Sequence, residues 1–299
     1  MALIAVVGSI NMDLVVTADR LPNKGETITG KDLQYLPGGK GANQAVAAAK
    51  LGADVQMFGC VGDDDLGKRL LENLADAGVE TTHIRTVPGV TSGTALITVG
   101  SGDNTIVVIP GANAYVDREY IDSIKDELLR ADIIMLQHEI PQETNEYVAE
   151  LGEKHGKIVI LDPGPARPIS EALLSRVSYL TPNEHEAAVI FGTEKDPEEL
   201  LKGYPGKLII SQGDKGVSLC TADGELLHFP AADVEVVDTT GAGDTMSGAL
   251  GFMLARGSSL VEAVRFANYA AAFSVERYGA QTGMPAYDEV LSRFPELRN

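Results

Sequence analysis

The chain has 299 residues, 44% of them hydrophobic and 22% charged, which is the composition of an ordinary globular protein long enough to bury a core. Acidic residues outnumber basic ones 43 to 24, and the net charge of -19 argues against nucleic acid or an anionic membrane as partner. In such a field a phosphate must be held locally, by backbone amides, a few lysines or a metal ion. The acidic excess is spread along the chain, as solubility alone would require. Cys60 and Cys220 are the only cysteines, and both sit in apolar runs, so buried free thiols are expected rather than a disulfide. The apolar run 3–10 is too short for a membrane span and lacks a basic flank and a cleavage site, so a cytoplasmic protein is expected.

In chain order, residues 3–7 form a continuous apolar strand of the kind buried on both faces of a parallel sheet. Asn11 and Asp13 follow it, where open α/β sheets bind ligands. Segments 14–18 and 27–35 alternate weakly around Pro22 and Gly25 and predict a small antiparallel excursion. Then come Gly38, Gly39, Lys40, Gly41, Ala42, Asn43 and Gln44, leading into a helix predicted over 45–51. The glycines would let backbone approach a ligand and Lys40 and Asn43 would supply donors, although a plain glycine-rich turn has the same look. The Walker A spacing is absent, and no G-x-G-x-x-G follows a strand, which counts against a hydride-transfer enzyme of the dinucleotide-binding type.

A strand is predicted over 55–61, a helix over 65–77, and a hairpin from 94–99 to 105–109. This hairpin and the earlier excursion together predict a second, small sheet. Helices over 118–130 and 144–154 alternate with strands over 132–137 and 157–161, the sequence form of a parallel sheet covered on both faces. Polar groups follow three strand ends: Glu139, then Asn183 to Glu186 opening a helix, then Ser211, Gln212, Gly213, Asp214, Lys215 and Gly216. Cap or turn duty explains any one of them, but not their joint appearance at one edge. The final helix opens with a Ser259/Glu262 capping box and runs over 263–277.

The most informative stretch is Asp238-Thr239-Thr240-Gly241-Ala242-Gly243-Asp244, between a strand predicted over 234–237 and a helix predicted over 245–256. Minimal side chains there leave the first helical amides free to face an anion at the positive end of the helix dipole. Asp244 beside them would repel a phosphate unless it takes the proton of an attacking hydroxyl; as a helix cap it would need no such role.

Two long motifs, 38–45 through 59–64 and 238–244, with Asn183-x-x-Glu186 between them, make the chain resemble the ribokinase-type (PfkB-type) carbohydrate kinases over essentially its whole length. The resemblance implies one α/β domain over 1–299: a three-layer α/β/α body with a mostly parallel central sheet, and a small β-sheet lid inserted at 13–36 and 93–110. It implies transfer of the ATP γ-phosphate to a sugar 5-hydroxyl, with D-ribose expected first and 2-deoxyribose, fructose or a nucleoside as alternatives. Asp244 would be the general base, and the amides of Gly241, Ala242 and Gly243 the anion hole. Asn11, Asp13, Gly39, Lys40, Gly41, Asn43 and Glu139 match sugar contacts. Asn183, Ser211, Gln212, Gly213, Asp214, Lys215, Gly216, Gly243 and Asn268 match nucleotide contacts. Glu186 would help place Mg²⁺ through water. Asp238, Thr240, Ser274, Arg277, Gly279 and Gly283 match a K⁺ site built mostly of carbonyls, and the lids of two copies would clasp in a homodimer. The chain departs from the family in Met246 and Ser247, where Phe and Asn are usual, and after Gln281. The rival of another class is a catalytically silent sugar- or nucleotide-binding regulator, which should have lost Asp244 or the glycines.

Overall fold

The computed structural model describes residues 2–192 and 196–298. Five parallel strands form the central sheet, in the order Tyr179–Leu180, Ile158–Asp162, Ile133–Gln137, Leu3–Val7 and Asp54–Phe58. Their continuous apolar sequences follow from burial on both faces, because alternate residues enter opposite cores. Ile4, Val6, Ile133 and Met135 join the core beneath helices Lys40–Lys50, Ala242–Ala255 and Leu260–Ser274. Ala5, Val7, Ile134 and Leu136 join the opposite core, beneath Arg118–Leu128 and Gln142–Lys154. The result is the expected three-layer α/β/α body. A bridge between Leu180 and Leu208 continues the sheet into an antiparallel set, Ile209–Ser211, Val217–Cys220 and Leu226–Phe229.

The two excursions do pair. Asp32–Gly38, Asn11–Thr17, Gly93–Gly100 and Asp103–Ile109 form a separate four-stranded sheet in that order. Asn11–Thr17 starts only three residues after Val7, so this small sheet begins at the carboxyl edge of the central sheet. Its last strand is exposed throughout, with Ile106 and Val107 at 54% and 60% exposure. Cys60 and Cys220 are buried and free, as expected.

Three expectations needed correction. The apolar run 55–61 is two strands: Asp54–Phe58 pairs with Leu3–Val7, whereas Cys60–Gly62 pairs with Arg85–Val87. The break is at Gly59, where an added Cβ would lie 2.9 Å from the Gly8 carbonyl oxygen. The first helix starts at Lys40, not 45, because Gly39 takes a positive φ of 86° and caps it without a side chain. Segment 234–237 is not a strand. Its apolar residues have no neighbouring strand to pair with, and the Val237 and Asp238 amides instead donate to the Val275 carbonyl at 2.7 and 3.2 Å.

Helix Ala242–Ala255 crosses Lys40–Lys50 at contact so close that only glycine fits. A Cβ at Gly248 would stand 2.6 Å from Ala47 Cβ and 2.8 Å from the Gln44 carbonyl oxygen. Gly248→Ala is therefore expected to lower stability by about 1–3 kcal/mol, the usual range for overpacking a tight contact. Urea unfolding of the variant checks this, and an unchanged midpoint would show that the helices part without cost.

Candidate active site

The helix crossing at Gly248 carries one turn farther, to Asp244 on one helix and to Asn43, Gln44 and Lys40 on the other. Asp244 is 6% exposed. Its Oδ2 accepts from Asn43 Nδ2 at 2.8 Å, and its Oδ1 accepts from Gln44 Nε2 at 3.4 Å and lies 3.8 Å from Lys40 Nζ. Asp162, at the end of its strand, accepts from Gln44 Nε2 at 2.8 Å and from Lys40 Nζ at 3.3 Å. Gln137 Nε2 in turn donates to Gln44 Oε1 at 2.9 Å, which fixes which end of the Gln44 amide meets the carboxylates. Burial pushes the Asp244 carboxyl up to about 6; Lys40 and Asn43 oppose the rise, and Asp162 and Glu139 add to it. For Lys40, burial alone would depress the ammonium, but the surrounding Asp162, Asp244, Glu186 and Glu139 outweigh it and hold it well above its usual range. One fixed cation thus sits among four carboxylates.

The opening turn explains what else Asp244 can do. Gly241 caps the helix in the left-handed region, φ 77° and ψ 4°, and a Cβ there would lie 2.8 Å from Ala280 Cβ. Asp244 is therefore inside the first helical turn and caps nothing. Ala242 donates its amide to the Thr239 carbonyl at 3.2 Å. The amides of Gly241, Gly243 and Asp244 have no backbone acceptor among the described residues. A Cβ on Gly243 would meet nothing within 4 Å, so the turn is uncrowded on that residue's side-chain face. The unpartnered donors are thus Gly241, Gly243 and Asp244, with Ala242 turned away, a shift of one from the set the sequence suggested.

Around this centre the sequence-expected sugar residues converge. Glu139 Oε2 accepts from Ser9 Oγ at 2.5 Å, from the Lys40 amide at 3.0 Å and from Asn11 Nδ2 at 3.4 Å. Asn11 Oδ1 accepts from Asn113 Nδ2 at 2.6 Å. Asp13 is the odd member, since no hydrogen bond reaches its carboxylate among the described residues; burial, then Glu139 and Asp244, raise it to about 6. A cavity of ≈ 370 Å³ opens beside Asn11 and Glu139. The glycines at 39 and 41 have a packing role. A Cβ would lie 2.7 Å from the Asn11 amide nitrogen at Gly39 and 2.6 Å from that of Ser9 at Gly41, so they let the helix start press against the strand end.

The second group lies along the neighbouring loops. Asn183 caps helix Glu184–Phe191, its Oδ1 accepting from the Glu186 amide at 2.8 Å while Glu186 Oε2 accepts from the Asn183 amide at 2.9 Å. That leaves the Asn183 amino group and Glu186 Oε1 free of this box. Asn183 also bridges to Ser211, which brings the Ser211–Gly216 loop beside it. In that loop Gly213 has φ 58°, Gln212 Nε2 donates to Glu184 Oε1 at 3.1 Å, and Lys215 Nζ lies 3.7 Å from the same atom; Asp214 is exposed. Asn268 donates its amino group to the Pro230 carbonyl at 2.8 Å, leaving its oxygen. Glu186 joins the two groups: a Cβ on Gly164 would lie 2.8 Å from its Oε1 and 2.5 Å from Lys40 Nζ. Its carboxyl is raised by burial and by Asp162.

The residues expected around K⁺ also gather. Asp238 Oδ1 accepts from the Thr240 amide and hydroxyl at 2.9 and 2.7 Å, and its Oδ2 accepts from the Gly279 amide at 2.9 Å. A Cβ on Gly283 would fall 2.6 Å from the Ser274 carbonyl oxygen and 3.5 Å from that of Arg277. The Arg277 guanidinium is engaged elsewhere, with Glu289 at 2.9 Å and over the Phe273 ring.

Sequence reasoning missed Asp162, Gln44, Gln137, Ser9 and Asn113 as members of the network. Asp162 had a signal, a carboxylate closing an apolar strand, the rule that had singled out Asn11. Gln137 and Asn113 had none, because only the fold brings them across 93 and 103 positions to Gln44 and Ile10.

The profile of the pfkB family carbohydrate kinases matches residues 1–287. A ribokinase of Bacillus subtilis is 47% identical over 287 residues, covering 96% of this chain and 97% of its own. The crystal structure of a Thermotoga maritima ribokinase superposes with TM-score 0.91 at 40% identity, covering 100% of both chains. An Arabidopsis thaliana ribokinase, solved in complex with ribose and ATP, superposes with TM-score 0.90 at 36% identity and 98% coverage of both. Fold and site together define a carbohydrate kinase, a phosphotransferase. The chain belongs to the pfkB family.

A carboxyl raised above its unfolded value destabilises the fold once it ionises. Folded Asp13 titrates at about 6 against an ordinary 3.8, so its neutral form is favoured in the fold and stability declines as pH rises through that window. Asp13→Asn is therefore expected to raise the melting temperature above neutral pH by a few degrees, with the gain fading below about pH 4. Calorimetry across this range checks the sign; a variant less stable at pH 8 would refute it.

Proposed function

We propose that this protein is an ATP-dependent kinase of D-ribose, delivering the γ-phosphoryl group to the 5-hydroxyl. The observation that carries the reading is Asp244, buried and hydrogen-bonded to Asn43 in a helix turn where the Gly243 and Asp244 amides have no backbone acceptor among the described residues. The attacking hydroxyl oxygen forms the new bond to phosphorus as the bond from phosphorus to the β,γ-bridging oxygen breaks, and that electron pair leaves with ADP. Asp244 takes the hydroxyl proton. A base raised to about 6 suits this task, being ionised at neutral pH yet not too weak to hold a proton. The free amides of the turn and the Lys40 ammonium would offset charge on the transferring group.

Support for ribose comes from the pairing of polar groups about the pocket. Asp13 is an acceptor with no protein partner, suited to sugar hydroxyls, and Asn11, Asn43 and Glu139 are held in fixed orientations by their neighbours. The Arabidopsis ribokinase complex with ribose and ATP supports the same assignment. Nucleotide contacts fall to the free amino group of Asn183, the 211–216 loop and Asn268. Mg²⁺ fits Glu186, whose spare oxygen is half-buried among acids, and it would supply charge neutralisation of the phosphates; no cluster of three or more acidic or softer ligands exists among the described residues, so water and phosphate must complete its shell. A monovalent cation fits the carbonyls crowded at Ser274, Arg277 and Gly283 behind the Asp238 loop.

The exposed apolar strand Asp103–Ile109 suits a homodimer that clasps lid to lid, and the buried free thiols suit a reducing cytoplasm. No described helix is long and apolar enough to cross a membrane.

The test is ADP release with Mg-ATP and K⁺, comparing ribose, 2-deoxyribose, fructose and adenosine. A clear preference for ribose is expected; preference for another acceptor overturns the pocket assignment, and no turnover overturns phosphoryl transfer. Asp244→Asn is expected to lower turnover ~10²–10⁴-fold with sugar binding retained, as isothermal titration would report. Exchanging K⁺ for a larger organic cation should depress the rate, and equal rates in both salts would remove the cation site.

A further inference from the structure

A chain of amides leads away from Asp244 to the far side of the molecule. Asn43 donates its amino group to Asp244 and receives, on its own oxygen, the Gln281 amino group at 3.0 Å. Gln281 Oε1 receives the Asn73 amino group at 2.7 Å. Every donor in the sequence Asn73, Gln281, Asn43 points toward the carboxylate, which can only accept when ionised. The inner members are hardly exposed, Gln281 at 8% and Asn43 at 6%, so water does not substitute for these bonds. The Gln281 backbone is itself fixed, because Lys50 Nζ donates to its carbonyl at 2.6 Å and to that of Met284 at 3.3 Å. Its neighbour Ala280 is the residue against which Gly241 packs.

We propose that Gln281 is a positioning residue for the reaction: it locks the Asn43 side chain with its amino group toward Asp244, and Asn73 locks Gln281 in turn. This rests on Asp244 being the base. The physical reason lies in what protonation would require. A proton on Asp244 Oδ1 would face the donors of Gln44 and Lys40, and a proton on Oδ2 would face the Asn43 amino group, which could accept it only by turning its amide over. Turned, Asn43 would set its amino group against that of Gln281, two donors facing each other in a buried site. Gln281 thus penalises the protonated form of Asp244 and keeps the donor on the ionised one. The charged groups that also face Asp244 are Lys40 on its own neighbouring helix, Asp162 and Glu139 at strand ends, and Asp13 from the lid. On the Gln281 side stand Lys50, then Glu289 and Arg277. A neutral replacement at 281 alters none of these charges.

The experiment is the pH dependence of kcat/KM for the sugar in the full chain, comparing wild type, Gln281→Met and Asn73→Ala. Gln281→Met keeps the volume and removes the donor; kcat should fall about tenfold and the acid limb should move up by about one pH unit, as for loss of a hydrogen bond to a carboxylate. The KM for ATP should stay within about twofold. Asn73→Ala, at a half-buried outer link, should move the limb in the same direction by less, and it carries the test if Gln281→Met does not fold. A lower kcat with the acid limb at its wild-type position in the folded variants would overturn the proposal. The underlying reading fails separately: wild-type turnover in Asp244→Asn would remove the base, whereas an inactive Asp244→Asn with unmoved limbs in the other two would remove only the positioning role.

Discussion

The crossing of helices Lys40–Lys50 and Ala242–Ala255 is the constraint on which the site depends. Gly248 against Ala47 permits a backbone approach that no larger residue allows. Asp244 lies about one turn from that contact, as do Asn43 and Gln44 on the facing helix, so this carboxylate and its donors are held by the rigid parts of the core rather than by a loop. The polar network reads as the consequence. Gln44 is 0% exposed and divides its amino group between Asp162 and Asp244, while Gln137 from the middle of the sheet fixes its other end.

Electrostatics then follow from geometry. Four carboxylates about one lysine leave a net negative, poorly solvated centre, and burial there raises the Asp244 and Glu186 carboxyls. For folding this is a cost, and Asp13 and Asp244 both carry it. For the proposed phosphoryl transfer to a hydroxyl it would be a use, because a moderately raised carboxylate can accept the proton. The overall charge of -19 has little part in this, because the donors that would face phosphate are backbone amides and a single buried lysine.

The lid belongs to the same edge. The strand Asn11–Thr17 starts in the site, where Asn11 meets Glu139, and ends in a sheet with an exposed apolar outer strand. Asn11 and Asp13, the proposed sugar contacts, are therefore among the first residues of the small sheet.

Much of this was legible in the sequence. Continuous apolar strands, the helix–strand alternation, the glycine-rich turn at 241–243 and the carboxylate after it all act locally, through backbone freedom, periodicity and unpaired helical amides, and local physics can be read from local sequence. Where local pattern misled, the partner was missing from view. The run 234–237 looks like a strand until no strand lies beside it among the described residues, and nothing local shows that the glycines at 39 and 41 also let the helix start pack on the strand end of Ser9 and Asn11. The choice of Gly241, Gly243 and Asp244 as the free donors, with Ala242 turned to Thr239, likewise came from the turn geometry. Tertiary structure alone decided that Asp162, Gln137 and Gln281 stand about Asp244, because hydrogen bonds between residues far apart in sequence leave no periodicity and no spacing to read.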